Sequence, residues 1–386
     1  MRTRYFIAGL LAAFALAGAS AETSGSLAKV PEADAAPITL LVDMGSGQTL
    51  LSKDPDRRFV PASITKVMSA FVAFEMIQSG ELDERQVFTF SEQAAEDWGR
   101  TGSTMFLEAG DRVPVHLLLQ GLTSVSANDA AIAIAEGASG SVDAWVERMN
   151  RTAAEIGMKN SHFGTPNGWP DEGRTFTTAN DLAILARTMI SRHPEKYARY
   201  FGREGLEYKG IAQANHDPIT GTVRGADGIK TGFTNEAGYG FLGSAQRNGT
   251  RLIMVVGGMD NPRERARLSR EIIEWGFEGF DRKLLFAQGE TVARAKVQNG
   301  SSRTVPLIPA SPIHLAVPQG RRPEASLALK YDGPVRAPIE KGEQIAELEL
   351  RVAGMPVSRI PLVAGEDVDR ANPFERVWNG IVGWVT

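Results

Sequence analysis

Two apolar runs between residues 38 and 51 flank Asp43-Met44-Gly45-Ser46-Gly47, a pattern that predicts a strand, a turn and a strand. After Pro61 the pattern changes. Ten of the fourteen residues in 64–77 are apolar and spread around the whole helical circumference, which predicts a helix buried on every side. Lys66 and Glu75 are the only charges in that run. Helical periodicity recurs over 115–123, 128–138, 142–156 and 179–190, and strands are expected at 238–244 and 252–257 around Asn248-Gly249. Beyond Trp275-Gly276-Phe277 the texture becomes all-β. Short strand patterns at 292–297, 304–308, 314–317, 326–329, 345–352 and 358–363 are punctuated by Asn299-Gly300, Asp332-Gly333-Pro334 and Lys341-Gly342.

The two ends of the chain carry different patterns. Arg2 and Arg4 precede an uncharged, mostly apolar stretch at 5–18 and the small residues Ala19-Ser20-Ala21, the layout of a cleaved export signal. An apolar core of that length spans only about 21 Å, against a hydrocarbon core of about 30 Å, so a membrane-spanning anchor fits less well. At the other end, Phe374, Val377, Trp378, Ile381, Val382, Trp384 and Val385 fall on one helical arc and Glu375, Arg376 and Asn379 on the other. This predicts a short amphipathic helix lying in a membrane interface, with a helix docked on protein as the alternative. The expected organisation is a signal peptide at 1–21, a catalytic domain at 22–280, an all-β domain at 281–365, and a linker with the anchoring helix at 366–386.

Composition narrows the chemistry. The chain has 386 residues, with 42 basic and 46 acidic side chains and no long run of one sign, so no nucleic-acid partner is expected. With no cysteine, thiol catalysis, disulfides and Cys-ligated metals are out. The five histidines include no i, i+4 pair, and no metal or other cofactor is expected. An exported protein without cysteines fits a bacterial periplasm. The chain contains no G-x-S-x-G elbow, no H-E-x-x-H, no P-loop and no dinucleotide fingerprint.

What stands out is Lys66, three residues after Ser63 at the start of a helix too apolar for the surface. At that spacing the two side chains share a face. A buried ammonium lowers its pKa and so becomes a base for a serine hydroxyl, while a helix start offers free N–H groups to a developing oxyanion. The alternative is a capping serine and a lysine whose head reaches water. With 23 Ser and 11 Lys, S-x-x-K is expected less than once by chance, and a second match, Ser26 to Lys29, lies in the N-terminal tail with no helix after it. Ser126-Ala127-Asn128, the only S-x-N, opens an apolar helix, where a capping role is the simpler reading; Lys230-Thr231-Gly232 occurs once, where a plain turn is.

The order S-x-x-K, S-x-N, K-T-G is a signature of penicillin-binding proteins and class A β-lactamases. Together with Pro61-Ala62-Ser63-Ile64-Thr65-Lys66, Ser126-Ala127-Asn128-Asp129-Ala130, Met149-Asn150, 163–168, 227–232 and Trp275-Gly276-Phe277, it resembles the low-molecular-mass penicillin-binding proteins, the serine-type D-Ala-D-Ala carboxypeptidases of peptidase family S11. The resemblance covers almost the whole chain. It implies an α/β (α+β), β-lactamase/transpeptidase-like catalytic domain with a central antiparallel sheet and a helical cluster, followed by an all-β domain and a short amphipathic helix. It also implies Ser63 as acylated nucleophile, Lys66 as its base, Ser126 and Asn128 as proton relay and substrate-amide holder, and Lys230, Thr231 and Gly232 at the substrate carboxylate. The N–H groups of Ser63 and Phe233 would form the oxyanion hole, and an Arg of 263–267 would face the carboxylate. Many relatives carry His where this chain has Phe233.

The implied partners are a peptidoglycan stem ending in D-Ala-D-Ala, β-lactams as covalent inhibitors, and the outer face of the inner membrane through the C-terminal helix. Rival readings are a D,D-endopeptidase, a β-lactamase, for which no E-x-x-L-N loop is found between Ser126 and Lys230, and a non-catalytic envelope scaffold.

Overall fold

The computed structural model describes residues 31, 35–320 and 324–372. The expected signal peptide, the second S-x-x-K match at Ser26 and the expected C-terminal helix from Pro373 lie outside the described residues. Contacts divide the chain into two units, one of 29–42 and 51–278, the other of 1–28, 43–50 and 279–386.

The first unit contains, in order, β1 (Ile38–Asp43), β2 (Thr49–Lys53), α1 (Thr65–Ser79), β3 (Val87–Thr89), α2 (Glu92–Trp98), β4 (Arg112–Pro114), α3 (Val115–Ser124), α4 (Asn128–Ser139), α5 (Val142–Glu155), α6 (Ala179–Arg192), α7 (Pro194–Tyr200), β5 (Gly205–Tyr208), β6 (Ile211–Ala214), β7 (Ala226–Thr234), β8 (Gly238–Arg247), β9 (Thr250–Met259) and α8 (Pro262–Glu278). Its centre is a five-stranded sheet of order β2-β1-β9-β8-β7, in which consecutive antiparallel strands place β7 at an edge. Helix α1 is the core of the helical layer. Every residue from Thr65 to Phe74 is buried, as the circumferential apolar pattern requires, and α3, α5 and α6 pack around it. Gly80, at φ 80°, ends it in the left-handed conformation that glycine adopts without a Cβ clash.

Two elements correct the pattern reading. Lys230-Thr231-Gly232 sits inside β7, paired with Phe241 and its neighbours on β8, and is not a turn. Helix α8 escaped the periodicity because eight of its seventeen residues are charged; its buried stripe is Leu268, Ser269, Ile272, Ile273 and Gly276. At Gly276 a Cβ would lie 2.7 Å from Leu252 and 2.8 Å from Leu41, so the glycine is what allows α8 to close on the sheet.

The second unit contains β10 (Phe280–Phe286), β11 (Ala293–Gln298), β12 (Thr304–Pro309), β13 (Ile313–Pro318), β14 (Ala325–Lys330), β15 (Val335–Arg336), β16 (Gln344–Val352) and β17 (Ser358–Ala364). Six strands form a sheet of order β14-β16-β17-β12-β11-β15, and β10 pairs with β13. Strict alternation sends Ala295, Val305, Leu307, Leu348, Leu350, Ile360 and Leu362 into one core and their neighbours to the opposite face. Residues 43–50 group with this unit, where Gln48 accepts from Ala316 N at 2.7 Å and donates to Ala316 O at 2.8 Å, completing a buried amide pairing.

Candidate active site

Ser63 lies in a single 3-10 turn, Ala62–Ile64, that leads into α1, and its side chain makes no capping bond. Three residues on, Lys66 is 1% exposed, so its ammonium does not reach water. Its Nζ lies 2.9 Å from Ser63 Oγ and donates to the Asn167 carbonyl at 2.8 Å. Burial and then the nearby Lys230 charge hold the Lys66 pKa well below the usual lysine range, against a smaller opposing pull from Asp129. No carboxylate pairs with it among the described residues. An amine whose proton is destabilised by burial, within hydrogen-bond reach of a serine hydroxyl, is an arrangement suited to general-base activation.

The S-x-N segment sits at the junction of α3 and α4. Neither Ser126 nor Asn128 caps the helix, whose N-cap is Ala127 without a side-chain bond. Ser126 is held at φ 63°, a left-handed conformation that costs a non-glycine residue roughly 1 kcal/mol or more. The next acid explains how the loop is held in place: the Asp129 carboxylate accepts from the N–H groups of Met105, Leu107 and Ala130 at 2.9–3.1 Å, fixing the loop before α3 against α4. Asn128 Nδ2 donates to Thr101 O at 2.8 Å.

Three glycines allow these segments to converge. A Cβ on Gly232 of β7 would stand 2.3 Å from Pro61 O, beside the turn that carries Ser63. One on Gly168 would stand 1.9 Å from Ala62 O, and one on Gly102 would meet both Asn128 Nδ2 and the Trp169 ring at 2.8 Å. Trp169 is 40% exposed and packs edge-on against Trp98, and its main-chain N–H donates to Asn167 Oδ1 at 3.0 Å. The segment 167–169 thus touches Lys66 through one carbonyl and borders Asn128 through one indole.

On β7, Lys230 is 4% exposed and its pKa is lowered to about 7, first by burial and then by the Arg265 charge, with Asp217 opposing. Arg265 is itself buried, and its Nε has no hydrogen-bond partner among the described residues. Of the arginines at 263–267, Arg263 is exposed and Arg267 is paired with Glu264 and Glu271, so Arg265 is the one turned toward Lys230. Burial and these same two cations hold the His216 pKa down. Two basic side chains in one buried place, with Asp217 as the opposing charge on both, form a site that a bound anion would stabilise. Phe233 is 47% exposed and stacks on Tyr239 with ring centroids 4.1 Å apart.

The structure therefore joins Ser63 to Lys66 directly, brings Gly232 against the turn of Ser63, and places Asn128 near the 167–169 segment that contacts Lys66; Lys230, Thr231 and Phe233 lie on the same strand as Gly232, and Ser126 lies two residues before Asn128. Pattern reasoning missed Asn167, whose contribution is a main-chain carbonyl, and Asp129, Gly102 and Trp169. The motif's own continuation, S-A-N-D, was the available signal for Asp129.

Comparison with known proteins gives the same picture. Residues 25–261 match the model of the S11 peptidases, described as D-alanyl-D-alanine carboxypeptidase, and 280–370 match the C-terminal domain of penicillin-binding protein 5. The chain is 32% identical to D-alanyl-D-alanine carboxypeptidase DacF of Bacillus subtilis over 86% of this chain and 85% of that one. It is also 32% identical to DacA of Haemophilus influenzae, over 89% and 88%. The crystal structure of penicillin-binding protein 5 from Haemophilus influenzae superposes with a TM-score of 0.69 at 30% identity, covering 90% of this chain and 100% of that one. Penicillin-binding protein 6B from Escherichia coli gives 0.65 at 28%, over 89% and 98%. This chain belongs to the S11 peptidases, the low-molecular-mass penicillin-binding proteins that act as serine-type D-alanyl-D-alanine carboxypeptidases in the cell wall.

Proposed function

We propose that the enzyme removes the terminal D-Ala of a peptidoglycan pentapeptide stem through an acyl-enzyme on Ser63. The observation that carries this is Lys66: a buried lysine with a depressed pKa, no carboxylate partner among the described residues, and Nζ 2.9 Å from Ser63 Oγ. In this reading the neutral Lys66 amine takes the hydroxyl proton as Ser63 Oγ attacks the penultimate D-Ala carbonyl. The tetrahedral oxyanion is held by the N–H groups of Ser63 and Phe233; the Ser63 N–H has no hydrogen-bond partner among the described residues, which supports that role. Ser126 relays the proton to the leaving D-Ala amine, and Asn128 holds the amide of the retained chain. Water then cleaves the ester. Lys230, Thr231 and Arg265 receive the terminal carboxylate, with Gly232 keeping β7 close to the nucleophile. A bound carboxylate restores the Lys230 proton that burial and Arg265 disfavour. β-Lactams enter by the same acylation and leave more slowly.

Residues 1–21 serve as a cleaved export signal to the periplasm, and 373–386 attach the enzyme peripherally to the outer face of the inner membrane. No helix among the described residues is long and apolar enough to cross a membrane. The deciding experiment is D-Ala release from a diacyl-Lys-D-Ala-D-Ala peptide, with intact mass after penicillin. Release together with a penicilloyl adduct on Ser63 is expected. An adduct without release would point to an endopeptidase, rapid penicillin turnover without an adduct to a β-lactamase, and neither to a scaffold.

A further inference from the structure

Charge is unevenly divided along this chain. Residues 31–278 carry 25 basic and 33 acidic side chains, whereas 279–372 carry 13 and 11, so a net acidic segment is followed by a net basic one. Such asymmetry between the parts of a chain points to a charged partner surface. The β unit concentrates its positive charge on one face. Because side chains alternate along a strand, the residues opposite the core in the six-stranded sheet are Arg294 and Lys296 on β11, Arg336 on β15, Arg359 on β17, Arg351 on β16 and Lys330 on β14. The same strands place only two carboxylates there, Glu347 and Glu349. Glu349 is shared by Lys330 and Arg351, and Arg294 reaches Glu366 at 3.6 Å. Lys296, Arg336 and Arg359 are exposed and have no ion-pair partner among the described residues. Between them the face is apolar, with Ile308 opposite Val363 in the ladder and Pro361 beside them.

The chain leaves the β unit at this sheet. Ala371 N donates to Asn299 O at 2.9 Å and Arg370 bridges to Gly300, just past the end of β11. The fourteen residues after Pro373's predecessor are rich in apolar side chains, with two tryptophans but a single Arg and a single Glu. A surface anchor without net charge holds a bilayer by hydrophobic insertion alone, and stable peripheral attachment takes a second signal, for which basic side chains near anionic headgroups serve.

We infer that the basic outer face of the β14-β16-β17-β12-β11-β15 sheet is a docking surface for an anionic phospholipid bilayer, supplying the electrostatic attachment that the C-terminal segment lacks. The inference rests on the peripheral reading of residues 373–386, and the experiment separates the two. The mature enzyme, a form ending at Asn372, and the triple variant Lys296→Ser, Arg336→Gln, Arg359→Gln are sedimented with neutral phosphatidylcholine vesicles and with vesicles containing about 30 mol% phosphatidylglycerol.

The triple variant should bind anionic vesicles at least about tenfold more weakly than the parent, bind neutral vesicles equally well, and keep its peptidase activity on soluble peptide. The form ending at Asn372 should lose neutral binding and keep a salt-sensitive preference for anionic vesicles. Unchanged anionic binding by the triple variant overturns the inference, as does parent binding to anionic vesicles that is indifferent to salt. Retention on soluble polyphosphate without any preference for anionic vesicles also overturns it, in favour of an anionic polymer. If truncation leaves neutral binding intact, the anchor reading fails, while the anionic preference still tests the sheet.

Discussion

The two units of this enzyme use positive charge in opposite ways. In the first, Lys66, Lys230 and Arg265 are buried, make no ion pair with a carboxylate among the described residues, and have their pKa values lowered, first of all by burial. In the second, Lys296, Arg336 and Arg359 stand in solvent on regular strands. Burial makes an ammonium expensive, and that cost lowers its pKa; in the proposed mechanism it serves as basicity at Lys66 and as affinity for a substrate carboxylate at Lys230. Exposure leaves the charge intact but screened, useful for long-range attraction and worth little to stability. Non-glycine residues at positive φ include Ala62 beside Ser63 and Ser126 in the S-x-N segment, and also Asp54, Phe106, Glu172, Lys209 and Asn248 elsewhere in the first unit and Asn299 in the second.

The contrast can be broken most severely at Ser63. Ser63→Ala is expected to lower D-Ala release by about four orders of magnitude or more and to leave no penicillin adduct in intact mass, with the thermal transition retained. An adduct of normal yield on that variant would remove the nucleophile assignment. Next, Lys66→Arg replaces a depressible base by a permanent cation and should slow acylation about a thousandfold in stopped-flow penicillin binding. Acylation at parental rate would show that Lys66 is not the base.

Lys230 sharpens the comparison through pH. Its folded pKa is about 7, below that of an unfolded lysine, so between that value and about 10.4 the unfolded chain holds a proton that the folded one lacks. Stability contributed by this group is therefore complete above the unfolded pKa and lost as pH falls toward 7, with a slope of up to about 1.4 kcal/mol per pH unit. Lys230→Met should flatten that slope in denaturant titrations while raising KM for peptide about a hundredfold; an unchanged slope would mean that the lysine is charged in the free enzyme. Calorimetry of the parent in buffers of different ionisation enthalpy should show proton uptake on peptide binding near pH 8.

A smaller effect is expected at Gly102→Ala, where the strained φ of 67° and the crowding of Asn128 and Trp169 should reduce acylation about tenfold. Smallest of all, Arg359→Gln on the open sheet should shift unfolding free energy by less than about 0.5 kcal/mol, which chemical denaturation would check.

Much of this was legible along the chain. The buried helix could be read from the circumferential apolar run, the β unit from short strands with turn pairs between them, and the contact of Ser63 with Lys66 from their i, i+3 spacing. Helix α8 was hidden because its polar face outweighs a narrow buried stripe, and strand β7 because Gly228, Gly232 and the residues between them resemble a turn. Asn167 had no readable signal, since any residue there could offer its carbonyl to Lys66.

Residue type and spacing determined which groups are present, where α1 begins and that its lysine would be costly to solvate. They could not determine which arginine of 263–267 turns inward, since that depends on the phase of α8 against the sheet. Nor could they place β7 beside the turn of Ser63 or the 167–169 segment over Lys66. Those proximities join residues over a hundred positions apart in the chain. They exist only because close packing through Gly232, Gly168 and Gly102 removes the side-chain volume that would otherwise hold the segments apart.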